Sequence, residues 1–200
     1  MVTIVWTVVS FILGALPFSV WIGRLALKKD IRDYGDHNPG ATNVARAGNL
    51  PLGVLAGTLD ITKGALPVGL AWYSLGLDGW ELVPIAVAPI LGHAFSPFLN
   101  FKGGKAIAVS GGVWIGLLGL EGILVLLLFL IIWYALIAVD GWSVIFVLIS
   151  LLIYLWFTGL TAPLATVWLG NLLIVGWKHR EDLAQAPYVR SWLTKVVRTS

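Results

Sequence analysis

The chain has 200 residues, of which 58% are hydrophobic and only 12% charged, about half the charged share of a soluble protein, so it is an integral membrane protein. Each helical crossing takes about 20 residues, which leaves room for at most about eight crossings and no separate soluble domain. Zero cysteines exclude disulfides, thiolate metal sites and a cysteine acyl-enzyme, three histidines argue against a His-rich metal centre, and the net charge of +3 matters less than its placement: every Lys and Arg falls within 24–105 or 178–198.

Apolar runs predict seven helices, over 3–27, 52–75, 82–99, 106–118, 122–139, 142–157 and 162–177. The glycine-rich run 109–120 admits a tilted or broken helix, which leaves six or eight open. Residues 1–23 lack a basic n-region and a small-residue cleavage pattern, so the first span is expected to be retained. Its Gly14-Ala15-Leu16-Pro17 is echoed by Gly64-Ala65-Leu66-Pro67, too short a match to establish a repeat.

Between the first two spans lie Lys28, Lys29, Arg32 and Arg46, and the cluster Gly35-Asp36-His37-Asn38-Pro39-Gly40-Ala41-Thr42-Asn43. Asn-Pro and Pro-Gly form turns, and Thr42 or Asn43 is placed to cap a short helix ending near Gly48. Backbone N–H groups followed by Arg46 suit an oxyanion; an interfacial loop with a snorkelling arginine fits equally well. In the second span, Asp60 and Lys63 lie three residues apart and can neutralise each other on one helix face, as part of a site or as a structural ion pair.

The segment from Gly92 to Ala106 is the most specific. Its diglycine Gly103-Gly104 lets backbone approach a ligand, a helix starting there points N–H groups at it, and Lys105 adds a full positive charge. That combination suits phosphate, although the spacing is not that of a nucleotide-binding loop. Phe95, Phe98 and Phe101 read as a packed face rather than an acyl-chain groove, and His93 as a hydrogen-bonded helix-end histidine. Trp114 and Trp133 read as packing residues, whereas Trp80, Trp142 and Trp177 stand at predicted ends where an indole suits the interface. After the last span, Lys178-His179-Arg180-Glu181-Asp182 reads as a positive-inside stop that gains weight beside the other clusters.

Alternate connections differ in charge. One set carries Lys28, Lys29, Arg32, Arg46, Lys102, Lys105, Lys178, Arg180, Arg190, Lys195 and Arg198, while the other holds only Asp78, Glu81 and Glu121. The positive-inside rule then predicts an outside N-terminus and a cytoplasmic C-terminus, as an odd number of spans requires.

At these residues the chain resembles the bacterial acyl-phosphate:glycerol-3-phosphate acyltransferase family, the PlsY type. The resemblance runs over nearly the whole length: Pro17-Phe18-Ser19 with Gly23, then Asn38-Pro39-Gly40-Ala41-Thr42-Asn43 with Arg46, then Asp60-Ile61-Thr62-Lys63-Gly64, then Gly92-His93 through Lys105-Ala106. It implies an all-α, polytopic bundle of about seven transmembrane helices, one membrane-embedded domain over 1–200, in the bacterial plasma membrane with a cytoplasmic site. It implies acyl transfer from acyl phosphate to the sn-1 hydroxyl of glycerol 3-phosphate, yielding lysophosphatidic acid, with no cofactor or metal. The partners implied are those two substrates and the lipid bilayer, with no nucleic acid and no obligate protein partner.

Carried onto this chain, Arg46 and Lys105 bind phosphate, the backbone of Gly103 and Gly104 binds anions, Asn43 and Ser143 hydrogen-bond, and His179 orients the acceptor beside Asp182. Lys105, His179 and Arg46 are the expected catalytic group, with Asp36, Asn38, Lys63 and His93 completing the substrate-binding set. The general base is open among His179, His93 and the substrate's own phosphate, the last favoured by the resemblance.

The chain also departs from the family. Asp36-His37 replaces the usual Ser-Gly, Asp140-Gly141-Trp142-Ser143 lacks the usual arginine, Asp182 replaces an asparagine, and the glutamate that normally follows is absent. A carboxylate about 5 Å from a phosphate at an effective dielectric near 20 costs on the order of 3 kcal/mol, roughly a hundredfold in binding. A member with a changed acceptor or lost activity is therefore an alternative, as is a transporter or lipid- or anion-binding membrane protein. Against transport, 106–177 holds only Glu121 and Asp140 as charged groups.

Overall fold

The computed structural model describes residues 1–192; the expected tail cations Lys195 and Arg198 lie outside the described residues. The described chain is helical, its one β-bridge joining Ile137 to Val189. In chain order the helices are α1 (Val2–Ala15), α2 (Phe18–Ile22), α3 (Ala41–Arg46), α4 (Leu50–Gly69), α5 (Gly79–Ala94), α6 (Ile107–Leu118), α7 (Leu120–Leu136), α8 (Asp140–Thr158), α9 (Ala162–Lys178) and α10 (Arg180–Leu183).

Four helical segments, Val2–Leu27, Leu50–Ser74, Gly79–Leu99 and Asp140–Thr158, are long and apolar enough to cross a bilayer. The expected helix over 106–118 is the short α6, whose 12 residues reach roughly 18 Å at 1.5 Å each, less than a hydrocarbon core of about 30 Å. Only Gly119, at φ +64, separates it from α7, a corner that an L side chain would strain.

The first span is not the continuous helix expected over 3–27. Leu16 is extended and Pro17, with no N–H to donate, ends α1. The break leaves two carbonyls without helical partners, and both find donors: Ser96 Oγ donates to Ala15 O at 2.6 Å and Lys63 Nζ to Leu16 O at 2.8 Å. Pro67, in the echo motif, stays inside α4, and Trp6 Nε1 donates to its carbonyl at 2.7 Å. The two four-residue matches therefore have different backbones and form no repeat.

Close backbone approach holds the bundle together. A Cβ on Gly14 would lie 2.3 Å from Pro89 O and one on Gly92 2.3 Å from Phe11 O, which brings α1 against α5. Gly64 and Gly112 do the same between α4 and α6, at 2.3 Å from Val109 O and 2.0 Å from Ile61 O. Small residues permit such contact where lipid offers no hydrophobic drive for helices to associate. The packing tryptophans also carry hydrogen bonds: Trp114 Nε1 to Asn171 Oδ1 at 2.9 Å, and Trp133 Nε1 to Ser150 Oγ at 2.8 Å. Phe98 and Phe101 are exposed rather than forming a packed face with Phe95.

Candidate active site

A cavity of about 490 Å³ runs from a polar mouth to an apolar wall. Asn38, Asp60, His93, Lys105 and the start of α6 line its polar end; Ile115 on α6 and Ile123, Leu126, Leu127 and Leu130 on α7 line its apolar length. The α7 wall escaped the sequence reading because an unbroken leucine-rich run marks no face as special.

The loop before α6 positions Lys105. Gly104 N–H donates to His93 O at 3.1 Å, Lys178 Nζ donates to Gly103 O at 2.8 Å, and Asn38 Oδ1 accepts from Lys105 N–H at 3.0 Å. A Cβ on Gly103 would sit 2.0 Å from His93 O, and one on Gly104 2.3 Å from His93 Nε2. The diglycine thus lets the loop lie on His93; contrary to expectation, the N–H of Gly104 is not left for an anion. The free donors come one turn later. The first bond closed in α6 is Ser110 N–H to Ala106 O, which leaves the amides of Ile107, Ala108 and Val109 outside the helical ladder, and Ile107 and Ala108 line the cavity.

Around Lys105 stand most of the residues expected to bind substrate. Its Nζ lies 3.0 Å from Asp36 Oδ2 and 3.2 Å from Asp182 Oδ2, and His179 Nδ1 is 2.9 Å from the same Asp182 oxygen. Asn43 Nδ2 donates to Asp36 Oδ1 at 3.0 Å and to Asn38 O at 2.9 Å, while its own Oδ1 accepts from Arg46 at 3.2 Å. Arg46 also reaches within 3.8 Å of Asp36. Neither Thr42 nor Asn43 caps α3: Gly40 is its cap, and the Asn43 side chain holds the turn instead.

Electrostatics follow from these contacts. Burial opposes the charge on Lys105, but the Asp36 hydrogen bond and the charges of Asp182 and Asp36 outweigh it and raise its pKa. Burial would raise Asp36 and Asp182, yet Lys105 beside the first, and His179 and Lys105 beside the second, hold both below the ordinary carboxylate value. Burial lowers His179, only partly opposed by Asp182, so the ring is neutral at pH 7. Its Nδ1–H faces the carboxylate, and its buried Nε2 has no hydrogen-bond partner among the described residues.

Two expected ligands are placed elsewhere. Lys63 is buried, 2.7 Å from Asp60 and bound to Leu16 O, so it is a structural counterion rather than a phosphate ligand. Asp60 also accepts from Ser19 Oγ at 3.0 Å and lies 3.9 Å from His93, a knot tying the broken first span to α4 and α5. Ser143 is fully buried, and its hydroxyl faces the carbonyls of Trp133, Ile137 and Val139 at 3.3–3.4 Å, fastening the α7–α8 corner rather than meeting the Lys105 cluster.

The profile of the glycerol-3-phosphate acyltransferase family matches residues 4–186. This chain belongs to that family. A glycerol-3-phosphate acyltransferase of Maridesulfovibrio salexigens is 35% identical over 187 residues, covering 92% of both chains. One of Enterococcus faecalis is 44% identical over 110 residues, so the matched stretch spans 55% of this chain and half the length of that relative. A crystal structure of PlsY, an integral membrane glycerol 3-phosphate acyltransferase, in its glycerol 3-phosphate form superposes with TM-score 0.81 at 30% identity, covering 92% of this chain and 91% of that one. The acyltransferase family and fold set aside the transporter reading.

Proposed function

We propose that this chain, a membrane glycerol-3-phosphate acyltransferase of phospholipid synthesis, takes its acyl group from an acyl phosphate and attaches it to the sn-1 hydroxyl of glycerol 3-phosphate. One observation carries the reading: a single cavity joins a polar mouth, lined by Lys105 and the first residues of α6, to an apolar groove, the shape of a substrate with an anionic head and a fatty tail. The groove between α6 and α7 takes the acyl chain. Lys105, Arg46 and the first amides of α6 hold the phosphates.

The acceptor oxygen attacks the acyl carbon, the bond from that carbon to the phosphate oxygen breaks, and inorganic phosphate leaves with the electron pair. The hydroxyl proton passes to the departing phosphate, a base already within the site. Because the donor is activated, no covalent enzyme intermediate is needed. Residues 1–200 act as one membrane-embedded catalytic unit without cofactor, metal or obligate protein partner.

Purified protein given palmitoyl phosphate and glycerol 3-phosphate should release inorganic phosphate and form lysophosphatidic acid; no consumption of acyl phosphate would refute the reading. Gly111 lines the cavity and a Cβ there meets nothing within 4 Å. Gly111→Leu should therefore fill the groove and shift preference to shorter acyl chains, measured as kcat/KM across chain lengths, and unchanged preference would move the acyl chain elsewhere.

In the plasma membrane of a bacterium this chain takes seven crossings, with the N-terminus outside and the site cytoplasmic. Its freedom from cysteine gives labelling no background. Asp33→Cys and Lys102→Cys should react only with reagent reaching the cytoplasm, and Asp78→Cys only from outside; labelling of position 102 from outside would invert the topology.

A further inference from the structure

Both cations expected to bind phosphate face carboxylates. Lys105 lies between Asp36 and Asp182, and Arg46 stands 3.8 Å from Asp36. With His179 neutral, these four charged groups sum to zero formal charge, in a site that must receive phosphate groups. The carboxylates are accessible, with side-chain exposures of 40% for Asp36 and 29% for Asp182, so solvent and ligands can reach them.

The arrangement distinguishes ligands by what they bring besides negative charge. An ionised carboxylate only accepts hydrogen bonds. When a phosphate draws Lys105 and Arg46 to itself, Asp36 and Asp182 lose those donors and stand beside an anion. A ligand carrying hydroxyl groups a few bonds from its phosphate can replace the lost donors. A phosphate ester without hydroxyls cannot, and it leaves the two carboxylates, still bonded to Asn43, the Asn38 amide and His179, facing its negative charge with nothing gained in return.

Resting on the acyltransferase reading, we propose that Asp36 and Asp182 are specificity-determining residues that restrict the acceptor's part of the anion site to polyol phosphates and disfavour hydroxyl-free anions there, whereas the acyl phosphate is held by its chain in the groove. They read the acceptor's hydroxyls while the cations read its phosphate. The same pair keeps simple cellular anions from occupying the site as competitive inhibitors.

The test compares glycerol 3-phosphate with n-propyl phosphate, which keeps the phosphate ester and three-carbon chain but has no hydroxyl, and with sulfate. Binding of each to the purified protein is measured by calorimetry, which needs no turnover, alongside inhibition of acyl transfer. In Asp36→Asn with Asp182→Asn, the ratio of the propyl phosphate dissociation constant to that of glycerol 3-phosphate should fall about tenfold, with sulfate following propyl phosphate. An unchanged ratio overturns the proposal, whether both ligands tighten equally, as under uniform repulsion, or neither changes. The single variants, checked by thermal melting, keep the comparison available if the double variant does not fold. Failure of the acyltransferase reading would look different: the unmodified protein would consume no acyl phosphate whatever it bound.

Discussion

Lys105→Ala, in protein that melts at the unmodified temperature, should lower kcat/KM for acyl transfer by about 30- to 1000-fold, or about 2–4 kcal/mol of transition-state stabilisation. Lys105 lines the cavity and is the cation on which Asp36 and Asp182 converge. Without it, the departing phosphate loses a full positive charge in a mouth that then carries two negative ones. Arg46→Ala should cost less, since Arg46 stands farther from Asp36 and its side chain is 49% exposed to solvent that screens it. Near-native turnover in Lys105→Ala would remove the mouth of this cavity as the site. Lys63→Ala is the informative contrast: it strips Asp60 and the Leu16 carbonyl of a shared partner, so its loss should appear first in the melting temperature.

Gly103→Ala, which changes no charge, is expected to reduce kcat by about a hundredfold or more, the scale on which a displacement near 1 Å acts. The added methyl would lie 2.0 Å from His93 O and 2.8 Å from Ala94 C. Those are backbone atoms, so the loop itself must move. Moving it breaks the bond from Gly104 N–H to His93 O and the clasp of Lys178 on Gly103 O, and Lys105 moves with it. Overpacking of this kind also destabilises by about 1–3 kcal/mol, visible as a lower melting temperature. Gly176→Ala, whose Cβ meets nothing within 4 Å, controls for glycine replacement as such and should leave both readouts alone. Unimpaired turnover in Gly103→Ala would mean that the loop does not set the position of Lys105.

The acidic departures from the family pattern acquire a structural meaning through the same lysine. As isolated residues, Asp36 and Asp182 read only as repulsion toward phosphate. In the fold each has specific donors: Lys105, Asn43 and the Asn38 amide for Asp36, and Lys105 with His179 for Asp182. The third departure, Asp140, stands at the start of α8, 3.9 Å from Arg190, and the next residue, Gly141, packs against Asp182 and His179.

Membrane class, helix windows and the grouping of the polar loop motifs were legible in the sequence, because hydropathy, turn chemistry and charge asymmetry are local properties that survive without a partner helix. The division of labour among like residues was not. Pro17 ends a helix while Pro67, Pro84 and Pro89 lie inside theirs, and at Pro17 the carbonyls of Ala15 and Leu16 are freed where Ser96 and Lys63 arrive from distant segments to take them. Lys63 and Lys105 are each followed or preceded by glycine in the sequence, yet one is sealed in a buried ion pair and the other opens on the cavity. Ser143 binds helix carbonyls, and the leucines of α7 become a groove wall only because α6 packs beside them. In each case a buried polar group must be paired and an apolar face must be covered, and the partners that meet those requirements lie tens of residues away, where only the tertiary structure brings them.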